Sequence, residues 1–446
     1  MPKSNRYRWM VVAIFFIFML LHQADKLLIG PLTTPIMDSF KINEFQMGLV
    51  SSGAVLIGAI CFPLWGYFYD RYARARLLAL AALIWGVTTW FGAVAPTYPL
   101  FVVARASTGI DDSSYPGLYS LVADYFGPKM RGIVYGVLQL TAPIGYLAGM
   151  VLALLLGGAI GWRNVFLITG SLGIVMAAVI FFGVKETSRG GSEPELANIE
   201  QEGNYKFNWQ AARDLFRKPS LILIFLQGFF GVFPWQVITF WFFRYLQTER
   251  GYNSDEVLVT MVIAVLIMAA GYPIGGALGD ALFKRTLRGR LIISAIGVIA
   301  GALLLAAALY VPLENKTLFL VILSMASLFI PFASPNILST TYDVTLPEIR
   351  STANAVQNFM EQAGSTVAPT LAGWIAVQYS LQTAILSICT STWILCFLFM
   401  LGAMLVIPRD IQKLRSQLKA RAEFETTHHG AAGAAADASP AVAPLN

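Results

Sequence analysis

A few charged side chains stand inside stretches that are otherwise apolar, and these are the residues that could do chemistry. Asp25, Arg105 and Asp112 come first. A charge at bilayer depth costs ~2.5 kcal/mol or more, so each needs a partner or a task. At a helical rise of about 1.5 Å per residue, Asp25 and Arg105 each fall roughly 10 Å inside the ends of their stretches, at matching depth, where they can pair. Asp112 follows Arg105 by two helical turns and shares its face. The three predict a charge ladder. In a dry site a carboxylate holds its proton more tightly, and a nearby guanidinium releases it. Movement of Arg105 between Asp25 and Asp112 would then switch which acid is protonated. The chemistry is proton carriage, with Arg105 as the switch or as a clamp for an anion; the alternative is a static ion-pair network. Asp111 turns about 100° away from Asp112 and is the weaker candidate. His22, one turn before Asp25, is placed to share its proton or touch substrate, or is a hydrogen-bonded core residue.

The second half of the chain has one comparable charge, Glu361. Asn354, Gln357, Asn358 and Glu361 follow the i, i+3, i+4, i+7 rule and form a polar stripe that must face a cavity or another helix. It reads as a substrate contact or a second cation or proton site, with interhelical hydrogen bonding as the alternative. Gln227, Gly228, Pro234, Trp235 and Gln236 share another stretch, whose Gly and Pro allow it to bend near a site. Tyr115 is a further wall candidate. Arg244 lies near a membrane boundary, where it either snorkels or meets an anionic substrate.

Helices must position these groups. The chain has 446 residues, 57% hydrophobic and only 13% charged, where a soluble domain carries about 25% charged residues. Twelve apolar runs suffice to cross a bilayer as helices: 9–32, 45–69, 77–95, 98–125, 131–157, 162–184, 220–246, 256–279, 289–311, 316–342, 350–377 and 381–407. The segment GYFYDRYARAR from Gly66 has a looser copy, GALGDALFKRTLRGR from Gly276, so Asp70 and Asp280 stand 210 positions apart. Arg131 and Arg350, each opening a later run, are 219 apart. The expected fold is an all-α membrane protein of twelve transmembrane helices in two parallel-repeat six-helix bundles, 1–184 and 220–407, with the site between them. A central loop, 185–219, includes an interfacial helix carrying Trp209, Ala212, Leu215 and Phe216 on one face. A tail, 408–446, is helical at first and disordered from Gly430.

Lys and Arg are concentrated on one side. With the N-terminus in the cytoplasm, the opposite side keeps only Lys41, Arg163, Arg250 and Lys316 of the 31 Lys+Arg. The net charge of +6 then faces the cytoplasmic leaflet and calls for no nucleic acid. Both termini are expected in the cytoplasm, with the protein in the cell (inner) membrane. The first run is too long for a cleavable signal peptide. Cys61, Cys389 and Cys396 have no ligand spacing, and the histidines suggest no metal. No phosphate loop and no extramembrane catalytic domain is present, so no cofactor and no enzymatic activity are expected.

Gly66, Asp70, Arg71, Arg74 and Arg76, with Ala73 where Gly is usual, resemble the signature loop of the major facilitator superfamily; Gly276, Asp280, Lys284, Arg285, Arg288 and Arg290 resemble it more loosely. The resemblance spans all twelve runs. It implies a cytoplasmic latch in which Asp70 meets the start of the eleventh run near Arg350 and Ser351. YRWMVVAIFFIFMLLHQADKLLIGPL from Tyr7, ARASTGIDDSSYPGLYSLVADYF from Ala104, PKMRGIVYG from Pro128 and GWRNVF from Gly161 resemble the Spinster branch. Lys26 replaces its usual Arg and Asp112 its usual Glu; the second half matches it weakly. That likeness implies a proton-coupled transporter of an amphipathic lipid such as a lysophospholipid, working as a monomer by alternating access. The rivals are an organic-anion or drug transporter of the same fold, with Arg105 and Arg244 as clamps, and a non-transporting membrane receptor.

Overall fold

A computed structural model describes residues 5–112, 114–126, 128–187, 213, 215–345 and 350–437. Among them every regular element is a helix: α1 (Asn5–Leu27), α2 (Thr33–Phe40), α3 (Glu44–Arg71), α4 (Arg74–Val94), α5 (Tyr98–Ser107), α6 (Gly109–Asp112), α7 (Tyr115–Tyr125), α8 (Pro128–Gln139), α9 (Thr141–Ile160) and α10 (Trp162–Gly183) in the first half. The second half has α11 (Pro219–Thr248), α12 (Ser254–Phe283), α13 (Gly289–Leu309), α14 (Lys316–Phe329), α15 (Ala333–Asp343), α16 (Arg350–Gln378) and α17 (Leu381–Asp437).

Ten helical stretches among the described residues are long and apolar enough to cross a membrane. The other two expected runs, 98–125 and 350–377, fall short because they carry the chemistry-bearing residues. The first is split into α5, α6 and α7: the Thr108 hydroxyl donates to the Arg105 carbonyl at 2.7 Å, and Gly109 lies so close to the Ala54 backbone that any side chain there would collide. Pro116, in the first turn of α7, has no backbone N–H to donate, so the helical ladder cannot run through it unbroken. The second is the continuous α16, made too polar by its amide and acid stripe. The first run also ends sooner than expected, since α1 stops at Leu27 and a turn leads into α2.

The internal repeat is visible in the helix starts. Asn43 opens α3 and Asn253 opens α12, each in a reciprocal capping box, with Gln46 and Glu256 respectively. These caps are 210 positions apart, the separation of Asp70 and Asp280. The halves touch along α3 against α16 and α9 against α12. At the Asn43 end they are tied together. Arg244 Nη2 lies 3.0 Å from Glu44 Oε1, Ser52 and Thr370 share a hydroxyl bond of 2.6 Å, and the Thr34 hydroxyl donates to Gln247 at 2.8 Å.

At the opposite end the repeated motifs pair within their own halves. Arg74, buried, reaches Asp124 at 2.5 Å and Glu186 at 2.9 Å. Arg290 reaches Asp280 at 2.7 Å and also Asp343. Arg71 covers the Tyr67 ring, Arg76 is exposed, and Gly66 faces open space. The side chains of Asp70, Arg131 and Arg350, on which the expected latch depends, lie outside the described residues, as does most of the expected interfacial helix. Of that helix, Leu215 is buried and Phe216 packs on Phe225. The tail departs from expectation: α17 runs through Pro408 and past Gly430 to Asp437. Five alanines between 431 and 436 have the highest helix propensity of any residue and carry the helix on.

Candidate functional site

Two cavities lie against the contact between the halves. The smaller, about 170 Å³, has an ionisable wall of His22, Asp25 and Lys26 from α1, Arg105 from α5, and Asp111 and Asp112 from α6. Gln236 and Thr239 of α11 and Gln362 of α16 close it from the second half. The larger, about 350 Å³, is mostly apolar, with Gln227, Trp235, Gln357 and Glu361 facing Met261, Phe242 and, from α9, Tyr146. Thr239 lines both.

The ladder is rearranged. Asp25 and Arg105 line the same cavity but form no ion pair. The Asp25 carboxylate is only 2% exposed and accepts hydrogen bonds from Trp85 Nε1 at 3.0 Å, Thr89 Oγ1 at 3.1 Å and Thr169 Oγ1 at 2.5 Å. Neutral donors of α4 and α10 thus satisfy it where the sequence pattern expects a guanidinium. Arg105, 4% exposed, lies over the Phe166 ring at 5.3 Å, and its Nε and Nη1 have no hydrogen-bond partner.

Asp112 does not lie two regular turns below Arg105, because the break at Thr108 and Gly109 resets the helical phase. It meets Lys26 Nζ at 3.0 Å and His22 Nε2 at 3.5 Å. Asp111, expected to turn away, is instead 2% exposed and 2.6 Å from His22 Nε2. His22 accordingly joins Asp111 rather than Asp25, and its Nδ1 lies 2.5 Å from the Tyr115 hydroxyl. Tyr115 stands behind His22 and does not line either cavity. Oxygen and nitrogen atoms of His22, Asp111 and Asp112 lie within 4.8 Å of one another, close enough for a metal ion, which the sequence did not suggest. The Lys26 ammonium already stands at the Asp112 end of that group.

In the second half, the Thr341 hydroxyl donates to Gln357 Oε1 and Gln357 Nε2 donates to Glu361 Oε1, each at 3.1 Å. Asn358 is exposed and off both cavities, so the stripe turns only partly inward. Gln227 and Trp235 line the larger cavity and Gln236 the smaller. Arg244 lines neither; its bond to Glu44 makes it a tie between the halves. Sequence reasoning missed Thr89, Trp85 and Thr169, whose donor roles have no local signature. It also missed Lys26 as a partner, although Lys26 and Asp112 were both visible as charges in apolar runs.

The family model described as Major Facilitator Superfamily matches residues 14–369. The protein named Protein spinster of Drosophila melanogaster is 28% identical over 391 residues, 84% of this chain; the match spans 63% of that protein's length. The Cis,cis-muconate transport protein of Acinetobacter baylyi is 26% identical over 386 residues, covering 84% of this chain and 89% of the relative. A crystal structure of a bacterial homolog to the human lysosomal transporter Spinster, inward-facing and unoccupied, superposes with a TM-score of 0.75 at 18% identity, covering 93% of this chain and 99% of that one.

Proposed function

The chain belongs to the major facilitator superfamily, and from that premise we propose that it carries an amphipathic anion across the membrane, driven by the proton gradient. It is a transport protein and not an enzyme, and an integral membrane protein with many apolar spans. The anionic group binds Arg105 and the apolar body fills the larger cavity. One observation carries this reading: a buried guanidinium with Nε and Nη1 unpartnered faces a cavity between the halves. A buried charge without a partner is costly, and a carboxylate or phosphate arriving there would offset that cost with charge-assisted hydrogen bonds.

The likeness to Spinster favours a lysophospholipid, its phosphate on Arg105. The relative named for cis,cis-muconate, a dicarboxylate, favours a second reading, a small organic anion. In either case Asp25, Arg105 and Asp112 form the coupling machinery, and Gln227, Trp235, Gln236, Gln357 and Glu361 contact the substrate.

The broken segment 98–125 and the helix 350–378 also cross the bilayer in this reading, completing two six-helix bundles that rock about the site. In this reading, which the Lys/Arg asymmetry favours, the protein sits in the cell membrane with both termini in the cytoplasm, and the Glu44–Arg244 tie closes the outer side. The working unit is one chain.

The test is flux into liposomes of labelled lysophospholipid and, separately, of labelled muconate, with and without an imposed pH gradient. One of the two should move with the gradient, and Arg105→Gln should abolish its binding. Binding by Arg105→Gln at wild-type affinity would falsify the clamp.

A further inference from the structure

His22 makes two contacts that suit both of its charge states. Nε2 lies 2.6 Å from Asp111 Oδ2 and Nδ1 lies 2.5 Å from the Tyr115 oxygen. In neutral imidazole, Nε2–H donates to the carboxylate and the Tyr115 hydroxyl donates to Nδ1. In imidazolium, Nδ1–H donates to the Tyr115 oxygen and the hydroxyl hydrogen swings away. The Gln23 side-chain amide, 3.5 Å from that oxygen, can present either its nitrogen or its oxygen to it. Gain or loss of a proton therefore requires one hydroxyl rotation and no movement of a helix.

The surrounding charges favour a proton there. The groups facing His22 are Asp111 and Asp112 from α6, Lys26 from its own helix and Tyr115 from α7, with the Trp85 ring edge-on from α4. Asp25 and Arg105 line the same cavity. With His22 neutral, three carboxylates stand against one ammonium and one guanidinium, leaving one negative charge. Asp111 Oδ1 is buried with no hydrogen-bond partner. A proton on His22 brings the wall to neutrality, which a low-dielectric site rewards.

We infer that His22 and Asp111, with Tyr115 as the adjustable partner, form a proton-binding site of their own, distinct from Asp25, Arg105 and Asp112. The site rests on the transport reading for its purpose: a monoanion arriving at Arg105 adds a negative charge to the wall, so His22 takes up its proton together with the anion.

The test begins without transport. His22 is one of three histidines, and His428 and His429 lie in the tail. Replacing the tail pair by Asn leaves His22 as the sole 15N-histidine signal of the full chain in lipid nanodiscs. Between about pH 5 and 8 its two nitrogens should pass from the neutral to the imidazolium pattern, and Asp111→Asn should remove the imidazolium where the parent chain shows it. A single neutral tautomer throughout, or an imidazolium untouched by Asp111→Asn, overturns the site. In liposomes, His22→Gln should lower the measured proton-to-anion ratio by one while Arg105 still binds anion; an unchanged ratio also overturns it. If the parent chain moves no anion, the transport reading fails, and the nitrogen spectra still decide on His22.

Discussion

The two halves present opposite walls to the space between them. The first-half wall gathers His22, Asp25, Lys26, Arg105, Asp111 and Asp112 around about 170 Å³. The second-half wall surrounds about 350 Å³ with aromatic, Met and aliphatic groups and one acid, Glu361, held by a single amide. Charges that close in low dielectric are strongly coupled, so removing any one changes the others. An isolated acid among apolar groups is replaceable. On the proposed reading the first half handles charge and the second accommodates shape, a division that substitution can break.

The largest effect should come from Asp112→Asn. Asn still accepts a hydrogen bond from Lys26 but can neither carry a proton nor balance that ammonium. Folding should be preserved, and pH-driven flux should fall on the order of a hundredfold, the scale of a positioned proton-transfer group. Flux equal to wild type under an imposed gradient would mean that the first-half network is structural.

How far this wall was legible in the sequence depends on what sets each position. A charge in an apolar run is visible by composition, so Asp25, Arg105, Asp112 and Glu361 stand out, and all four line the two cavities; the repeat at Asp70 and Asp280 is what suggests a two-half organisation. Pairing was not visible, because it depends on helical phase. Extrapolating 100° per residue from Arg105 puts Asp112 inward and Asp111 outward. The break after Thr108 reverses their burial, leaving Asp111 at 2% exposure. Part of that break was readable: Ser-Tyr-Pro at 114–116 disfavours a continuous helix. The rest arises from the close approach of Gly109 to α3, a tertiary fact. Likewise, nothing in the spacing of Trp85, Thr89 and Thr169 says that they converge on Asp25.

Glu361→Gln sharpens the comparison from the other side. It keeps the hydrogen-bonded shape and removes the charge, so the bond from Gln357 weakens by about 1 kcal/mol. Affinity should change by roughly fivefold, in a direction set by the substrate's own charge, while the pH dependence of flux stays that of wild type. Loss of pH-driven flux would make Glu361 a proton carrier and erase the division between the walls.

The smallest effect belongs to the tie at the Asn43 end. Arg244 and Glu44 are 14% and 21% exposed in their side chains, so water screens them, and the pair contributes ~0.5–1 kcal/mol. Ser52 with Thr370 and Thr34 with Gln247 hold the same end. Glu44→Gln should therefore shift the balance between closed and open states of that end only about two- to fivefold. Spin labels at Lys41→Cys and Glu314→Cys, one in each half, would report this as a modest gain in the longer distance, with the proton-to-substrate ratio unchanged. A complete shift to the long distance would show instead that this one ion pair holds that end closed, and that the polar contacts beside it add little.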